Sequence, residues 1–450
     1  MNGCGLRALR GAMEGIAASI LCTCDAEGQP NVSMISQVHW VDDRHVALSW
    51  QFFNKTRANL LATGKACVEL FDPVTHARHR LHLDHVETRT EGPLFEMMKA
   101  RLAGIASHHG LEGVFRLLGA DIFRVVGIEQ LTPAARLAVQ DRPPLLSAVR
   151  SCIDDLARCR DFDELADAVL DGVVRHLHIP HVILLMAEGD GRLFAIGSRG
   201  YAASGVGAEI LPGEGVIGVA AREGVPIRIG HLSADYRYGA ALGAAARQAG
   251  LLAVEPCGVP FPGLGDPHSQ VAVPILSAGR VLGVLFCESP EIMRFDHEDE
   301  DALMLLAGYL GALATLPGED DPRSAGTPGH LPVERAGLVH VRHFPRDDSV
   351  FLENDYLIKG VAGAILWRLL RQNAETGRTE FSTRELRLDR TLKLPDHAEN
   401  LDARLVLLRR RLEERGACLR IEKTGRGRFR LVAHCAIALQ DMDDASAPAC

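Results

Sequence analysis

The chain has 450 residues, 47% of them hydrophobic and 24% charged, which excludes wholesale disorder and fits about three globular domains. Its formal charge of -9 is unevenly spread: residues 340–432 hold 20 Lys and Arg against 14 Asp and Glu, or +6, leaving -15 elsewhere. The 11 cysteines are odd in number and scattered, which argues against a disulfide framework and for a reducing cytoplasm. Ala302 to Leu316, the longest apolar run, is too short and too interrupted to span a bilayer, and Glu14 breaks the N-terminal signal candidate, so no membrane association is expected.

The first expected domain covers residues 1–131. Ile16 to Cys24, Asn31 to Val41 and His45 to Trp50 read as three strands joined by tight turns, the first at Asp25 to Pro30, and so predict a meander. A polar segment, Asn54-Lys55-Thr56-Arg57-Ala58-Asn59, then opens a helix before a fourth strand at Ala66 to Phe71. Cations and a hydroxyl at a helix N-terminus are the chemistry of an anion site, because backbone N–H groups and the helix dipole converge there. His76, His79, His82 and His85 recur every third residue, but on a strand they would alternate faces, so no metal site is expected from them. Cys22 and Cys24 lack a second pair to close a zinc site. Pro93 to Gly110 reads as a helix and Ala120 to Glu129 as a closing strand.

The Gly28-x-Pro30 hairpin, the strand ending at Trp50, the Asn-Lys-Thr-Arg-x-Asn segment and the Ala-rich strand after it resemble the pyridoxamine 5'-phosphate oxidase-like FMN-binding split barrels. The resemblance implies that Lys55 and Thr56 hold a flavin phosphate, with Arg57 and Asn59 beside them and Ser49 and Gln51 toward the ring. The Arg-x-x-Leu-Leu-Lys strand of the true oxidases is missing, since Asn31 to Ser36 offers only Ser33 and Ser36. FMN, deazaflavin, haem or nothing are therefore the alternatives for the cleft. The resemblance also implies a homodimer.

Residues 144–316 form the second expected domain. Leu145, Val149, Ile153 and Leu156 give one helical stripe and Asp163 to His176 a second helix; His181 to Ala187 and Arg192 to Ser198 read as strands. Pro212-Gly-Glu-Gly215-Val-Ile-Gly218 enters a short helix, Ser269 to Ile275 and Arg280 to Glu288 pair as a hairpin, and Asp296 to Ala314 closes the unit. This order resembles a GAF domain, and the glycine-rich turn lacks the crossover context of a dinucleotide fold. The resemblance implies a small-molecule pocket under the loop between the Pro226 strand and Ser269, where His231, Tyr236, Tyr238, Cys257 and His268 are the candidate ligand contacts. Residues 317–337, with four prolines among Gly, Asp and Ser, read as a flexible linker, and 441–450 as a tail.

Residues 338–440 form the basic domain. Val361, Ile365, Leu366, Leu369 and Leu370 mark one helix, and Ser382-Thr-Arg-Glu385 is a capping box opening another. Leu401, Leu405, Leu408 and Leu412 line one face of a third helix whose other faces hold Arg404, Arg409, Arg410, Arg411 and Arg415. Two short strands follow around a glycine turn near Gly425. Asp402, Leu405, Leu408, Arg409, Arg411 and Leu412, then Gly427, Phe429, Arg430 and Leu431, resemble in step the winged-helix output domains of bacterial response regulators. The resemblance implies DNA binding through Arg404, Arg410 and Arg411 on the helix and Arg426 and Arg428 on the hairpin. Val406 and Leu407 stand where polar groups would face the groove; thymine methyls and a protein surface are both open partners for them.

The expected fold is thus multidomain α+β: a split β-barrel, a GAF α/β sandwich with an antiparallel sheet, then a winged helix-turn-helix. The leading expectation is a cytoplasmic one-component sensor and transcriptional regulator responding to a flavin, redox state or small metabolite. The alternatives are an FMN-dependent oxidoreductase with a regulatory GAF domain, and a protein-interaction scaffold. Hydrolytic and phosphoryl-transfer motifs are lacking, so an enzyme reading rests on flavin alone.

Overall fold

The computed structural model describes residues 5–13, 19–35, 38–50, 54–72, 75–92, 94–99, 102, 117–135, 142–230, 259–315, 337–389, 392, 401–416, 418–425 and 427–442. They form a mixed α+β protein of several units. Nearly all of the expected linker at 317–337, most of the tail at 441–450 and most of the Pro93 to Gly110 helix lie outside the described residues.

The first unit is a curled seven-stranded antiparallel sheet in the order β2-β1-β5-β6-β7-β4-β3, with β1 Ser19–Cys24, β2 Pro30–Ile35, β3 Val38–Trp40, β4 His45–Trp50, β5 Lys65–Phe71, β6 Arg78–Arg89 and β7 Gly119–Thr132. Gly28, at φ 80°, and the Asp25 carboxylate, which accepts from the Gln29 N–H at 2.7 Å, set the β1–β2 turn. The expected three-strand meander is corrected here. Asn31 to Val41 is two strands, and β2 and β3 lie on opposite edges of the sheet. Three register shifts along the β6–β7 pair bend those long strands. Leu21, Val46, Leu48, Val68, Leu81 and Phe123 fill the concave side, closed by the 3-10 helix Leu6–Met13. Between β4 and β5 runs α1, Asn54–Thr63.

The second unit is a six-stranded antiparallel sheet ordered β10-β9-β8-β13-β12-β11. Its strands are β8 His181–Ala187, β9 Leu193–Arg199, β10 Glu209–Ile210, β11 Ile227–Ile229, β12 Ser269–Ser277 and β13 Arg280–Ser289. Helices α2 Leu145–Leu156, α3 Phe162–His176 and α5 His297–Ala314 bury one face, and α4 Gly215–Glu223 lies against the other. Burial on both faces explains why β12 and β13 read as continuous apolar runs instead of alternating. Leu285 and Cys287 pack toward the helical layer while Val284 and Phe286 pack toward α4. Asp161 caps α3 by accepting from the N–H groups of Asp163 and Glu164.

The third unit joins a four-stranded sheet, β16-β15-β14-β20, to a three-stranded one, β17-β19-β18. Strands β14 Leu338–Phe344, β15 Ser349–Leu352 and β16 Asp355–Ile358 precede α6 Gly360–Thr376. Then come β17 Glu380–Ser382, α7 Thr383–Leu388, α8 Leu401–Glu414, β18 Leu419–Gly425, β19 Arg428–Ala433 and β20 Ala436–Asp441, the last running parallel to β14. Ser382 and Glu385 form the reciprocal cap of α7. A disulfide joins Cys418 to Cys435, with Cα atoms 5.8 Å apart, a single cross-link among the described residues and not a framework. The β18–β19 hairpin brings the two cysteines together across 17 residues of sequence. One apolar cluster runs without a break from the helical layer of the second unit into α6 and α8 of the third, so the two units share a core. Among the described residues, no helix is long and apolar enough to cross a membrane.

Candidate functional site

The helix α1 turns successive side chains by about 100°, so its polar segment divides between two neighbours. Thr56 and Asn59, three residues apart, are buried against β1 and β2. The Thr56 hydroxyl accepts from Asn31 Nδ2 at 2.9 Å and lies 3.1 Å from Ser33 Oγ; Asn59 Nδ2 donates to Thr23 Oγ1 at 3.2 Å. Arg57 points elsewhere. It pairs with the buried Asp121 of β7, donates to Thr88 Oγ1 at 2.8 Å, and lies 4.5 Å above the Trp50 ring. Thr88 donates to the same Asp121 oxygen at 2.5 Å, and His85 Nε2 stands 3.5 Å from it. Lys55 is exposed beside Thr56. Ser49 is half-buried on β4, while Gln51 lies outside the described residues.

This arrangement fits the phosphate end of a flavin mononucleotide. Thr56, the N–H groups of the first turn of α1 and the cation of Lys55 would receive the phosphate, with Asn31 and Ser33 orienting the threonine hydroxyl. Arg57 is committed to Asp121 and positions the helix instead. Sequence reasoning passed over Asn31 and Asp121. The two-residue spacing of Asn31 and Ser33 on a strand was the available signal, since it puts both on the face toward α1. His79 is buried on β6 and His82 is half exposed, so a histidine row is not presented on one side.

On the second unit, His231, Tyr236, Tyr238 and Cys257 lie outside the described residues. His268 is described, with Nε2 3.5 Å from an Asp266 carboxylate oxygen. At the same end of the sheet Glu288 is buried: it accepts from the Leu264 N–H at 2.7 Å and from Gln270 Nε2 at 3.2 Å. Burial pushes its carboxyl above the usual range. His181, beside it in register, meets Tyr201 edge-on at 5.6 Å. No sequence motif marked this group.

Arg404, Arg409 and Arg410 of α8 pair with the second unit, while Arg411 turns back on the third. Arg404 donates to Glu188 at 2.6 Å and lies 4.3 Å over the Phe194 ring. Arg410 donates to the Ile196 carbonyl at 2.7 Å and to Asp163 at 2.9 Å, with Asp167 3.0 Å away, and Arg409 also pairs with Asp163. Gly197 makes room for Arg410, since a Cβ there would lie 2.6 Å from its Nη1. Arg411 is buried; it donates to the Leu357 carbonyl at 3.1 Å and to Glu414 at 3.0 Å. Burial pulls both the Arg404 and the Arg411 guanidinium below their ordinary values, against the carboxylates that favour the charge. Lys423 of β18 pairs with Asp161, the cap of α3. Val406 and Leu407 are buried, and Leu407 lines a small cleft with Glu188, Phe194, Glu209 and Lys359. Arg428 is exposed on β19, and Arg426 lies outside the described residues.

Residues 7–124 match the family described as pyridoxamine 5'-phosphate oxidase, and residues 159–313 match the GAF domain family. The chain therefore carries a pyridoxamine 5'-phosphate oxidase-like domain and a GAF domain. An FMN-binding protein from Syntrophomonas wolfei subsp. wolfei is similar at 22% identity, over 28% of this chain and 86% of that one, with a TM-score of 0.25. The GAF domain of an Acinetobacter phosphoenolpyruvate-protein phosphotransferase is similar at 15% identity, over 37% and 90%, with a TM-score of 0.29. A free methionine-R-sulfoxide reductase from Neisseria meningitidis is similar at 20% identity, over 37% and 86%, with a TM-score of 0.28. No curated protein matches.

Proposed function

We propose that this chain is a sensor and transcriptional regulator, in which the oxidase-like and GAF domains receive a small-molecule signal and the third unit binds DNA. One observation carries the reading. The arginine-bearing helix α8 runs directly into the β18–β19 hairpin, and both are supported by α6, α7 and β17 in a single unit. A helix and an adjacent basic hairpin are the pair of elements by which a winged helix reads a major groove and grips the flanking backbone. In this reading α8 is the groove element, Arg426 and Arg428 are phosphate contacts, and the GAF ligand sits on the sheet face away from α3. The reading is tested by selecting duplexes from a random pool with the full chain at low ionic strength. Enrichment of one site is expected, with Arg428→Ala lowering the affinity for all sequences and flattening the salt slope by about one unit. A pool that stays unenriched, with the wild type and with the acid-neutralised variant described below, would overturn it.

The cradle of Thr56, Asn31 and Ser33 favours a second reading, an FMN-dependent oxidoreductase with a GAF regulator. Bound FMN would supply hydride and electron transfer. The visible spectrum of the purified protein, followed while NADH or NADPH is added, separates the two: bleaching with turnover supports the enzyme. We further propose a homodimer in either reading, consistent with Val32 and Met34, which are 65% and 66% exposed on the edge strand β2.

A further inference from the structure

We infer that the GAF domain masks the third unit, and that α8 must leave the GAF surface before its arginines can meet nucleic acid. The inference rests on the DNA-binding reading above and adds its regulation.

The GAF surface under α8 is acidic where the helix is basic. Asp161 and Asp163 at the start of α3, Asp167 one turn on, and Glu188 just after β8 meet Lys423, Arg409, Arg410 and Arg404 in that order. The side chains of Arg404 and Arg410 are 5% and 12% exposed, and each guanidinium already gives its hydrogens to a carboxylate and a backbone carbonyl. A phosphate or a base edge competes for those same N–H groups, so the docked helix and the DNA-bound helix exclude one another. Lys359, just before α6, adds a further clasp by reaching Glu209 of β10 at 3.0 Å.

The two units also share an apolar core, so release must part both kinds of contact. The charged pairs between them pay a desolvation cost that offsets their attraction, so the net hold of each is small even though its geometry is specific. The strands that carry the contact also carry the opposite face of the GAF sheet. Along β9, Phe194 packs toward the helical layer and α8, while Leu193 and Ala195 pack toward α4. Alternation along one strand thereby ties the docking surface to the side of the sheet that holds Glu288 and Gln270, the side where a ligand would act.

The experiment uses the full chain. Asp163→Asn, Asp167→Asn and Glu188→Gln together remove the acidic partners without touching α8, and a control carries three exposed neutralisations elsewhere, Glu27→Gln, Asp154→Asn and Glu291→Gln. Amide hydrogen exchange of α8 and anisotropy of a labelled duplex at low ionic strength are read on the same samples. Faster exchange in α8 with at least tenfold tighter duplex binding is expected for the first variant, and changes under twofold for the control. Equal binding by the wild type and the first variant would overturn masking while leaving the DNA reading intact. Faster exchange with no duplex binding by any protein would instead overturn the DNA reading, and the masking of DNA with it. A control that gains as much as the test variant would reduce the effect to net charge and overturn the inference. Should the triple variant fail to fold, Asp163→Asn with Asp167→Asn leaves the buried Glu188–Arg404 pair in place, and the same two readouts are expected to move the same way.

Discussion

Arg404 of α8 and Glu188 just after β8 are 216 residues apart in sequence and 2.6 Å apart in the fold, with both side chains largely buried. Removing Glu188 strands the buried Arg404 guanidinium, whereas removing Arg404 leaves Glu188 its second cation, Arg192, at 3.3 Å. Glu188→Gln is therefore expected to destabilise the folded chain by about 3 to 5 kcal/mol, and Arg404→Met with Glu188→Gln by clearly less, because no buried unpaired guanidinium then remains. Urea unfolding of the two single variants and the double variant gives the coupling directly, and additive costs would contradict the pairing.

At the oxidase-like domain, Lys55→Ala with Thr56→Ala is expected to release any FMN that co-purifies. The pair removes the cation and the hydroxyl that the first turn of α1 offers a phosphate. The absorbance ratio of flavin to protein after gel filtration measures it, and full retention would move the site elsewhere.

His343 bridges two carboxylates: Nδ1 lies 2.8 Å from Asp441 and Nε2 3.1 Å from Asp348, with the ring stacked on Trp367 at 4.7 Å. Burial opposes the charge on the imidazole, but the bonds to Asp348 and Asp441 outweigh it and hold the pKa above the ordinary value. The folded state therefore binds a proton that the unfolded chain, at about 6.5, gives up first. Its stabilising contribution is whole below that value and is lost as pH rises through the folded pKa. Thermal unfolding of the wild type should thus weaken across that interval relative to His343→Gln, and identical pH profiles would contradict it.

Reduction of Cys418–Cys435 frees a loop of 17 residues around the hairpin. Chain-entropy arguments put the loss at about 3 kcal/mol for a loop of this size. Dithiothreitol and the variant Cys418→Ser with Cys435→Ser are expected to lower the stability of the third unit by the same amount, and no further when combined. Differential unfolding with and without reductant checks this.

What the sequence determined by itself was local. The capping box at Ser382 and Glu385, the turn at Gly28, the start of α1 after Trp50 and the helical stripe ending at Leu412 all depend on residues a few positions apart, and all are present. Thr56 was legible as a polar residue at a helix start for the same reason. Its neighbours Asn31 and Ser33 were not fully so, because strand β2 meets α1 only in the folded sheet.

Tertiary structure alone decided which way the charges face. Arg57 reads as an anion clamp until Asp121, 64 residues later, is brought beneath it. The arginines of α8 read as groove-facing, since the apolar stripe at Leu401, Leu408 and Leu412 gives the helix one buried side by periodicity and leaves the others open. Nothing within a helical turn encodes a second buried side. That side exists because acidic residues from α3 and β8, more than 200 positions upstream, supply the partners without which an arginine is too costly to bury. The split of Asn31 to Val41 onto opposite sheet edges has the same origin: strand pairing is a long-range choice, and residue spacing along one strand carries no record of its neighbours.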